Sequence, residues 1–571
     1  MSSSDSEVLS RAFHGNSYRF VQRLLTFVAN SVVLRTLHLH VTGAVTVRLE
    51  LTLASIFVFR DGFRLAFLRM PSIDTTGAGM KQLQLQQLVN AAWLSTAITW
   101  ALAGLLLLST ALLTSSETVD SGDAVSSYSV VFAMYCGAAM IEALAEPMFL
   151  LSHASVLVSW QVAAQSAAFL VRAAVQYVGV VVLQLNLIAY GLAELLYAVT
   201  VLLVFVLFFC RRMYRPSDTD NKFAFTTMTE LLPKRTEPGI GWCHAELKTL
   251  LVPLGVQSAV KYLLTEGDKW VLTMFASLHD MGIYGMVSNL GSLVPRIVFL
   301  PIEEATKAIF SKLALAQKQK SDDEDGKRVK MDELANGQTL LLVLLKLMNL
   351  VGLVFLCFGT SYAKTLVLLL YGAEKVGQGV GAALAVYCAY IPLLGVNGVC
   401  EAVVHAIGND QELIHLNKLL GVFFAIYAVS ALVFMQVLDW GTFGLILANC
   451  VNMACRILYC LAFLASYFRQ VAPNVQTASA FANGLSFWRQ SLPDRLVVSA
   501  FVVSMGVTAT SQRVLLNSGT EKPPSLMFHM LHVAVGALCF AGTALVLILK
   551  EQRLIRDQVA ALRVQSKPHS D

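Results

Sequence analysis

Residues 289–310 read NLGSLVPRIVFLPIEEATKAIF. The background is apolar enough to sit in lipid, yet it carries Arg296, Glu303, Glu304 and Lys307 along with Pro295 and Pro301. A charge exposed to lipid near the bilayer centre costs roughly 2.5–3.5 kcal/mol or more, so such groups must face protein or a hydrated cavity. At ~100° per residue, Asn289, Arg296, Glu303 and Lys307 fall within about 40° of one another, and an unbroken helix would carry them as one polar stripe. Pro301 just ahead of the two glutamates also suits a helix that restarts there with acidic residues in its first turn.

The rest of the chain says that this stretch is a membrane segment. The 571 residues are 56% hydrophobic and 14% charged, with a mean hydropathy of +0.64. Soluble domains carry about 25% charged residues, so the expected class is an all-α polytopic membrane protein. Windows of about 20 apolar residues place about 14 spans. They cover 18–38, 43–67, 84–112, 126–152, 155–181, 184–209 and 248–277, then 281–310, 336–359, 379–407, 415–437, 442–467, 495–512 and 526–549. The second and eighth are amphipathic. The short apolar run TLVLLLYG, residues 365–372, is expected at an interface. The acidic, serine-rich start MSSSDSEVLS lacks the basic region of a cleavable signal peptide, so the first span is expected to persist in the mature protein.

Lysine and arginine are distributed by side. Segment 210–247 holds six, 311–334 holds six, 468–495 holds three and the tail from Lys550 holds five, whereas 113–125 holds none. By the positive-inside tendency these basic segments and both termini are expected to be cytosolic. The spacing also suggests a duplication: a six-helix lobe over 1–209, a cytosolic linker over 210–247 and a second six-helix lobe over 248–467. The last two transmembrane helices fall within 468–549, and a basic tail covers 550–571. In each half the first two spans hold most of the charge, a plan that suits parallel repeats around a central cavity.

The first pair of spans carries Arg23, Arg35, Arg48, Arg60 and Arg64, and the second pair Lys261, Glu266, Asp268, Arg296, Glu303 and Glu304. Other polar groups recur at helical spacing: Glu142 with Glu146, Asn397 with Glu401 and His405, and Asn449 with Asn452 and Arg456. Interhelical pairing or snorkelling explains any single one of these charges as well as a functional role does. The surplus of cations in the early spans is harder to explain that way. Basic groups lining a cavity would suit an anionic, phosphate-bearing substrate, because arginine binds phosphate bidentately.

Enzyme and metal signatures are missing from the sequence. It contains no GxxxxGK[ST], no HExxH and no CxxC, and GAEKVGQG (372–379) lacks the Lys-Ser/Thr of a nucleotide loop. Catalytic residues, cofactors, a metal site and a nucleic-acid partner are therefore not expected.

Six segments carry a more specific signal: TFVANSVVLR (26–35), VTVRLELTL (45–53), FRDGFR (59–64), LTEGDKWVLT (264–273), NLGSLVPRIVFLPIEE (289–304) and NCVNMACRI (449–457). With these the chain resembles the eukaryotic Rft family, a branch of the MATE-like flippase superfamily, over about residues 8–550. Pro295 departs from the small non-proline residue expected at its position. The resemblance implies two six-helix lobes open alternately to each side of the membrane, plus two C-terminal helices. It also implies an endoplasmic-reticulum protein needed for N-glycosylation, which moves a pyrophosphoryl-dolichol oligosaccharide bearing mannose from the cytosolic to the luminal leaflet. Arg35, Arg60, Arg296 and Arg456 match its motifs and lead the candidate substrate-binding set of Arg23, Arg35, Arg48, Arg60, Arg64, Lys261, Arg296 and Arg456. Glu266, Asp268, Asn289, Glu303, Glu304, Asn449 and Asn452 are the supporting polar groups.

Membrane lipid, the dolichol-linked oligosaccharide and the glycosylation machinery are the implied partners. A non-transporting membrane factor in glycan assembly remains open beside the translocator. A cation-coupled small-molecule exporter would instead depend on Glu142, Glu146 or Glu401. A polytopic glycosyltransferase would need a carboxylate pair in an early luminal loop, which HLHVTG (38–43) does not supply.

Overall fold

The computed structural model describes residues 30–69, 78–116, 123–154, 158–214, 227–234, 242–243, 245–319, 324–471, 489–516 and 526–565. Regular structure among them is entirely helical. In chain order the helices are α1 Leu39–Ile56, α2 Arg60–Arg69, α3 Ala78–Ser116, α4 Asp123–Ala154, α5 Val158–Tyr177, α6 Leu187–Tyr214 and α7 Ala245–Phe275. They continue as α8 Leu278–Leu315, α9 Gly337–Tyr371, α10 Val380–Ile407, α11 Asp410–Leu432, α12 Gly441–Val471, α13 Arg495–Leu516 and α14 Leu526–Gln565.

Among the described residues, ten helices are long and apolar enough to cross a membrane, and α1 with α2, bent by 45°, makes eleven if the pair is one span. The expected figure of about 14 is therefore not confirmed on length and composition among the described residues. Helices α7 and α13 exist but fall outside that group, α7 because Lys261, Glu266, Asp268 and Lys269 interrupt its apolar run. Most of the expected first span, 18–38, lies outside the described residues. The run 365–372 is not a separate interfacial piece. A π-helical turn over Phe355–Gly359 carries α9 straight on through Tyr371.

The chain divides into two compact units, Met1–Gly282 and Ile283–Asp571. In the first unit, Phe67, Phe149, Phe205, Phe209 and Leu247 bury together in one apolar core. Helix α7 is tied to α1 and α2 there: Ser258 Oγ donates to Val58 O at 2.7 Å, and Ser55 and Tyr262 share a hydroxyl hydrogen bond of 2.6 Å. Gly43 and Gly282 let two helix ends meet backbone to backbone, since a Cβ on either would collide with a carbonyl oxygen, that of Leu278 or Leu39. Helix α3 holds Leu231, Lys234 and Trp242 by their backbone groups. Asn90, fully buried, donates to Lys234 O (2.9 Å) and Trp242 O (3.1 Å) and accepts from Lys234 N (3.0 Å), while Trp93 Nε1 donates to Leu231 O at 2.7 Å. These bonds satisfy backbone groups that a loop in an apolar setting would otherwise leave unpaired.

In the second unit, Cys357, Phe358, Val497 and Phe501 pack α9 against α13. The ten cysteines are all free.

One corner occurs twice. Helix α5 ends in a π turn, Val178–Val182, whose Val178 and Gly179 carbonyls accept from Leu183 N and Leu185 N, both at 2.9 Å. Helix α11 ends in the π turn Val433–Val437, which accepts from Leu438 N and Trp440 N, both at 3.0 Å. The left-handed residues match too: Gln184 (φ 54°) and Asn186 (φ 47°) against Asp439 (φ 55°) and Gly441 (φ 48°). The offset that carries Gln184 onto Asp439 also carries Glu142 onto Asn397 and Glu146 onto Glu401. The two corners thus share hydrogen bonds and dihedrals at one common offset in the sequence.

Candidate functional site

Each unit gathers its own polar cluster. In the first, the bend between α1 and α2 turns Arg60 and Arg64 onto α4. Arg60 Nη1 meets Glu142 Oε1 at 2.7 Å, and its guanidinium stacks 3.8 Å from the centre of the Phe57 ring. Arg64 takes both oxygens of Glu146, Nε to Oε1 at 2.7 Å and Nη2 to Oε2 at 2.8 Å, with Phe149 stacked on its other side at 3.8 Å. Glu142 and Glu146 are one turn apart on α4, as Arg60 and Arg64 are on α2, so the two pairs form a ladder. Each carboxylate has its own arginine.

Helix α7 adds a second network. Lys269 Nζ bridges Glu50 (3.0 Å) and Glu266 (2.9 Å), and Lys261 reaches Asp61 at 3.1 Å on an exposed surface. Asp268 is half-buried and accepts from the Lys269 backbone N at 2.8 Å. Deeper in the unit, Arg172 pairs with Glu194 at 3.1 Å, an interaction between α5 and α6 that neither motif nor spacing pointed to. Arg48 lies in the π turn Ala44–Leu49, and its buried Nε has no hydrogen-bond partner among the described residues. Arg35 is exposed, and Arg23 lies outside the described residues.

The second unit contains the stretch 289–310, and its expected stripe is broken. Pro295–Phe299 forms a π turn, which adds a residue to the turn and rotates everything after it by about 100°. Pro295 stands at the start of that turn, and a proline there removes one of the N–H donors an unbroken α-helix would use. As a result Arg296 is exposed and makes no ion pair among the described residues, whereas Glu303 is half-buried. The expected pairing of Glu303 with Lys307 does not form. Glu303 instead lays its carboxylate against Gly398 of α10, where a Cβ would collide with it, and Glu304 and Lys307 are exposed. Asn289 is half-buried, with Nδ2 lacking a partner.

Beside Glu303, Glu401 of α10 pairs with Arg456 Nη2 of α12. Glu401 also accepts from Asn397 Nδ2 at 3.0 Å, and His405 Nε2 lies 3.7 Å from it. Asn449 Nδ2 donates to the Tyr284 hydroxyl at 3.4 Å, and Asn452 is half-buried. The stripe Asn397, Glu401, His405 was visible as spacing, but its partner on α12 could not be read from it.

The cations thus divide. Arg60, Arg64, Lys261 and Arg456 are committed to carboxylates, while Arg35, Arg48 and Arg296 carry charge that nothing described neutralises.

The family model described as Rft protein matches residues 13–561. The chain belongs to the Rft family. Among its relatives is the mouse protein named Man(5)GlcNAc(2)-PP-dolichol translocation protein RFT1, 31% identical over 568 residues, which cover 95% of each chain. The Xenopus tropicalis protein of the same name is 30% identical over 93% of this chain and 92% of that one. Among solved structures the Rft chain shares its fold with the lipid II flippase MurJ in an inward closed conformation, with a TM-score of 0.56 at 12% identity. That match covers 95% of this chain and all, 100%, of the other. An inward-facing MATE-family multidrug transporter matches with a TM-score of 0.57 at 13% identity, over 79% of this chain and 96% of that one. The fold of this Rft protein is therefore MurJ- and MATE-like, and the protein is a multi-pass membrane protein.

Proposed function

We propose that this Rft protein carries a pyrophosphoryl-dolichol-linked, mannose-bearing oligosaccharide from the cytosolic to the luminal leaflet of the endoplasmic reticulum membrane, and that N-glycosylation depends on it. The near full-length relationship to proteins named for that translocation supports the substrate class. One observation carries the proposal to the site: Arg296 is held out on a π turn with no carboxylate among the described residues to neutralise it. A pyrophosphate is a strong ligand for an uncompensated guanidinium, through charge-assisted and bidentate hydrogen bonds. Arg48, on the π turn of the first unit, is the second candidate contact, and Arg35 the third. In the paired arginines, the carboxylate has already taken the place a phosphate would need.

The repeated corner and the matched Glu146 and Glu401 support two six-helix lobes, 1–209 and 248–467, joined by the linker 210–247 and followed by the last two helices. The lysine and arginine asymmetry supports cytosolic placement of both termini and of the basic segments. The glycosylation machinery would then be met as a partner on the luminal side, where the glycan is used.

The test is purified protein in sealed vesicles with a defined lipid-linked oligosaccharide, comparing wild type with Arg296→Gln. Faster appearance of the lipid in the opposite leaflet with wild type, and a slower rate with the variant at equal reconstitution, is the expected result. Equal rates with and without protein would favour the non-transporting factor.

A further inference from the structure

The carboxylates of α4 and α10 provide an internal comparison. On α4, Glu142 and Glu146 are each neutralised by a separate arginine. On the corresponding turns of α10 the first glutamate is replaced by Asn397, and the second, Glu401, faces Arg456. A further carboxylate, Glu303, enters from α8 against Gly398, one residue from Asn397. Arg456 is paired with Glu401, and Glu303 makes no ion pair among the described residues, so with His405 neutral the cluster carries one negative charge in excess. Asn397 has an unmet need of its own. It is 6% exposed, its Nδ2 is bound to Glu401, and its Oδ1 accepts from nothing among the described residues. An orphaned acceptor beside an uncompensated carboxylate calls for a donor that brings positive charge. No group of three or more His, Cys, Asp or Glu side chains among the described residues is placed for a metal ion.

We infer that this cluster binds one exchangeable proton, held on Glu303 within the Glu401–Asn397–Arg456 group. A protonated Glu303 removes the excess charge and supplies an O–H donor to a site that has acceptors to spare. The charged and titratable groups around it are Glu304 on its own helix, Glu401 and His405 on α10, and Arg456 on α12. Lys307 is exposed one turn on, and Lys346 of α9 is occupied by Glu551 at 2.7 Å. The proposal goes beyond translocation itself. Its charge balance holds whichever lipid the protein moves, and thermal stability reads it without a transport assay.

The experiment is a melting-temperature series on the full chain in detergent from about pH 8 to about pH 5, at fixed ionic strength. It is repeated with sodium, potassium and N-methylglucamine as the only cation. A proton bound by the folded state and released on unfolding makes wild type more stable as pH falls, by about 1 °C per pH unit for a chain of this length. Glu303→Gln, which mimics the protonated acid, should start at the higher temperature and lose that slope, whereas Glu304→Gln should keep it. If Glu303→Gln does not fold, Gly398→Ala serves instead, because its methyl displaces the carboxylate without removing it and should shift the midpoint of the response. The same slope in wild type and Glu303→Gln overturns the inference. So does a slope abolished by His405→Gln but not by Glu303→Gln, or a response to sodium or potassium in place of pH.

Discussion

Arg64 grips both carboxylate oxygens of Glu146, at 2.7 and 2.8 Å, although the two residues are 82 positions apart. Side-chain exposure of 20% and 6% puts the pair largely out of water. Removing one partner of such a pair leaves a buried charge, at a cost of about 3–5 kcal/mol. Arg64→Gln should therefore lower the yield of folded protein steeply, as measured by size-exclusion chromatography of a fluorescent fusion. The double variant Arg64→Met with Glu146→Leu should recover most of that yield. A single variant as abundant as wild type would show that the pair is not stabilising.

Arg296 should behave in the opposite way. No described carboxylate depends on it, so Arg296→Gln should leave abundance within about 0.5 kcal/mol of wild type. The lost charge-assisted contact, about 1.5–3 kcal/mol, should slow lipid translocation roughly 10- to 100-fold. Quantitative blots beside glycosylation-site occupancy separate the two effects. Loss of protein in proportion to loss of occupancy would reject a substrate role for this side chain.

Arg60 and Arg69 stand at opposite ends of α2, and of the two only Arg60 has a carboxylate partner among the described residues, Glu142. Arg60→Ala should lower both abundance and glycan-donor supply, while Arg69→Ala, at an exposed helix end, should change neither. Equal abundance of the two variants, measured by quantitative blots, would remove the distinction.

Asn90 ties the start of α3 to the linker by three hydrogen bonds to the backbone of Lys234 and Trp242. Asn90→Ala strands those groups, each at about 1–3 kcal/mol. Limited proteolysis should then cut near Lys234 much faster than in wild type, while sites in the tail beyond Lys550 are cut at an unchanged rate. An unaltered digestion pattern would mean that the clamp does not hold the linker.

Both termini are expected to face the cytosol. A tag following residue 571 should be digested by protease added to sealed microsomes, and its protection would reverse the assigned orientation.

Local physics made part of this protein readable from its residues alone. Apolar windows with few charges placed most of the helices within a few residues of where they lie, because lipid burial is a property of each segment by itself. The crowding of cations into the early spans and the uneven distribution of lysine and arginine among the connecting segments could likewise be counted from the sequence. The partner of each cation was not, since Glu142, Glu146 and Glu401 reach Arg60, Arg64 and Arg456 across 82, 82 and 55 positions. Spacing on one helix cannot say which face meets which neighbour. The π turn at Pro295–Phe299 was hidden for a related reason. One added residue per turn leaves composition and hydropathy untouched, yet it moves Arg296 off the stripe and brings Glu303 under Gly398. Only the packed helices decided which charges are spent on one another and which stay unpaired among the described residues.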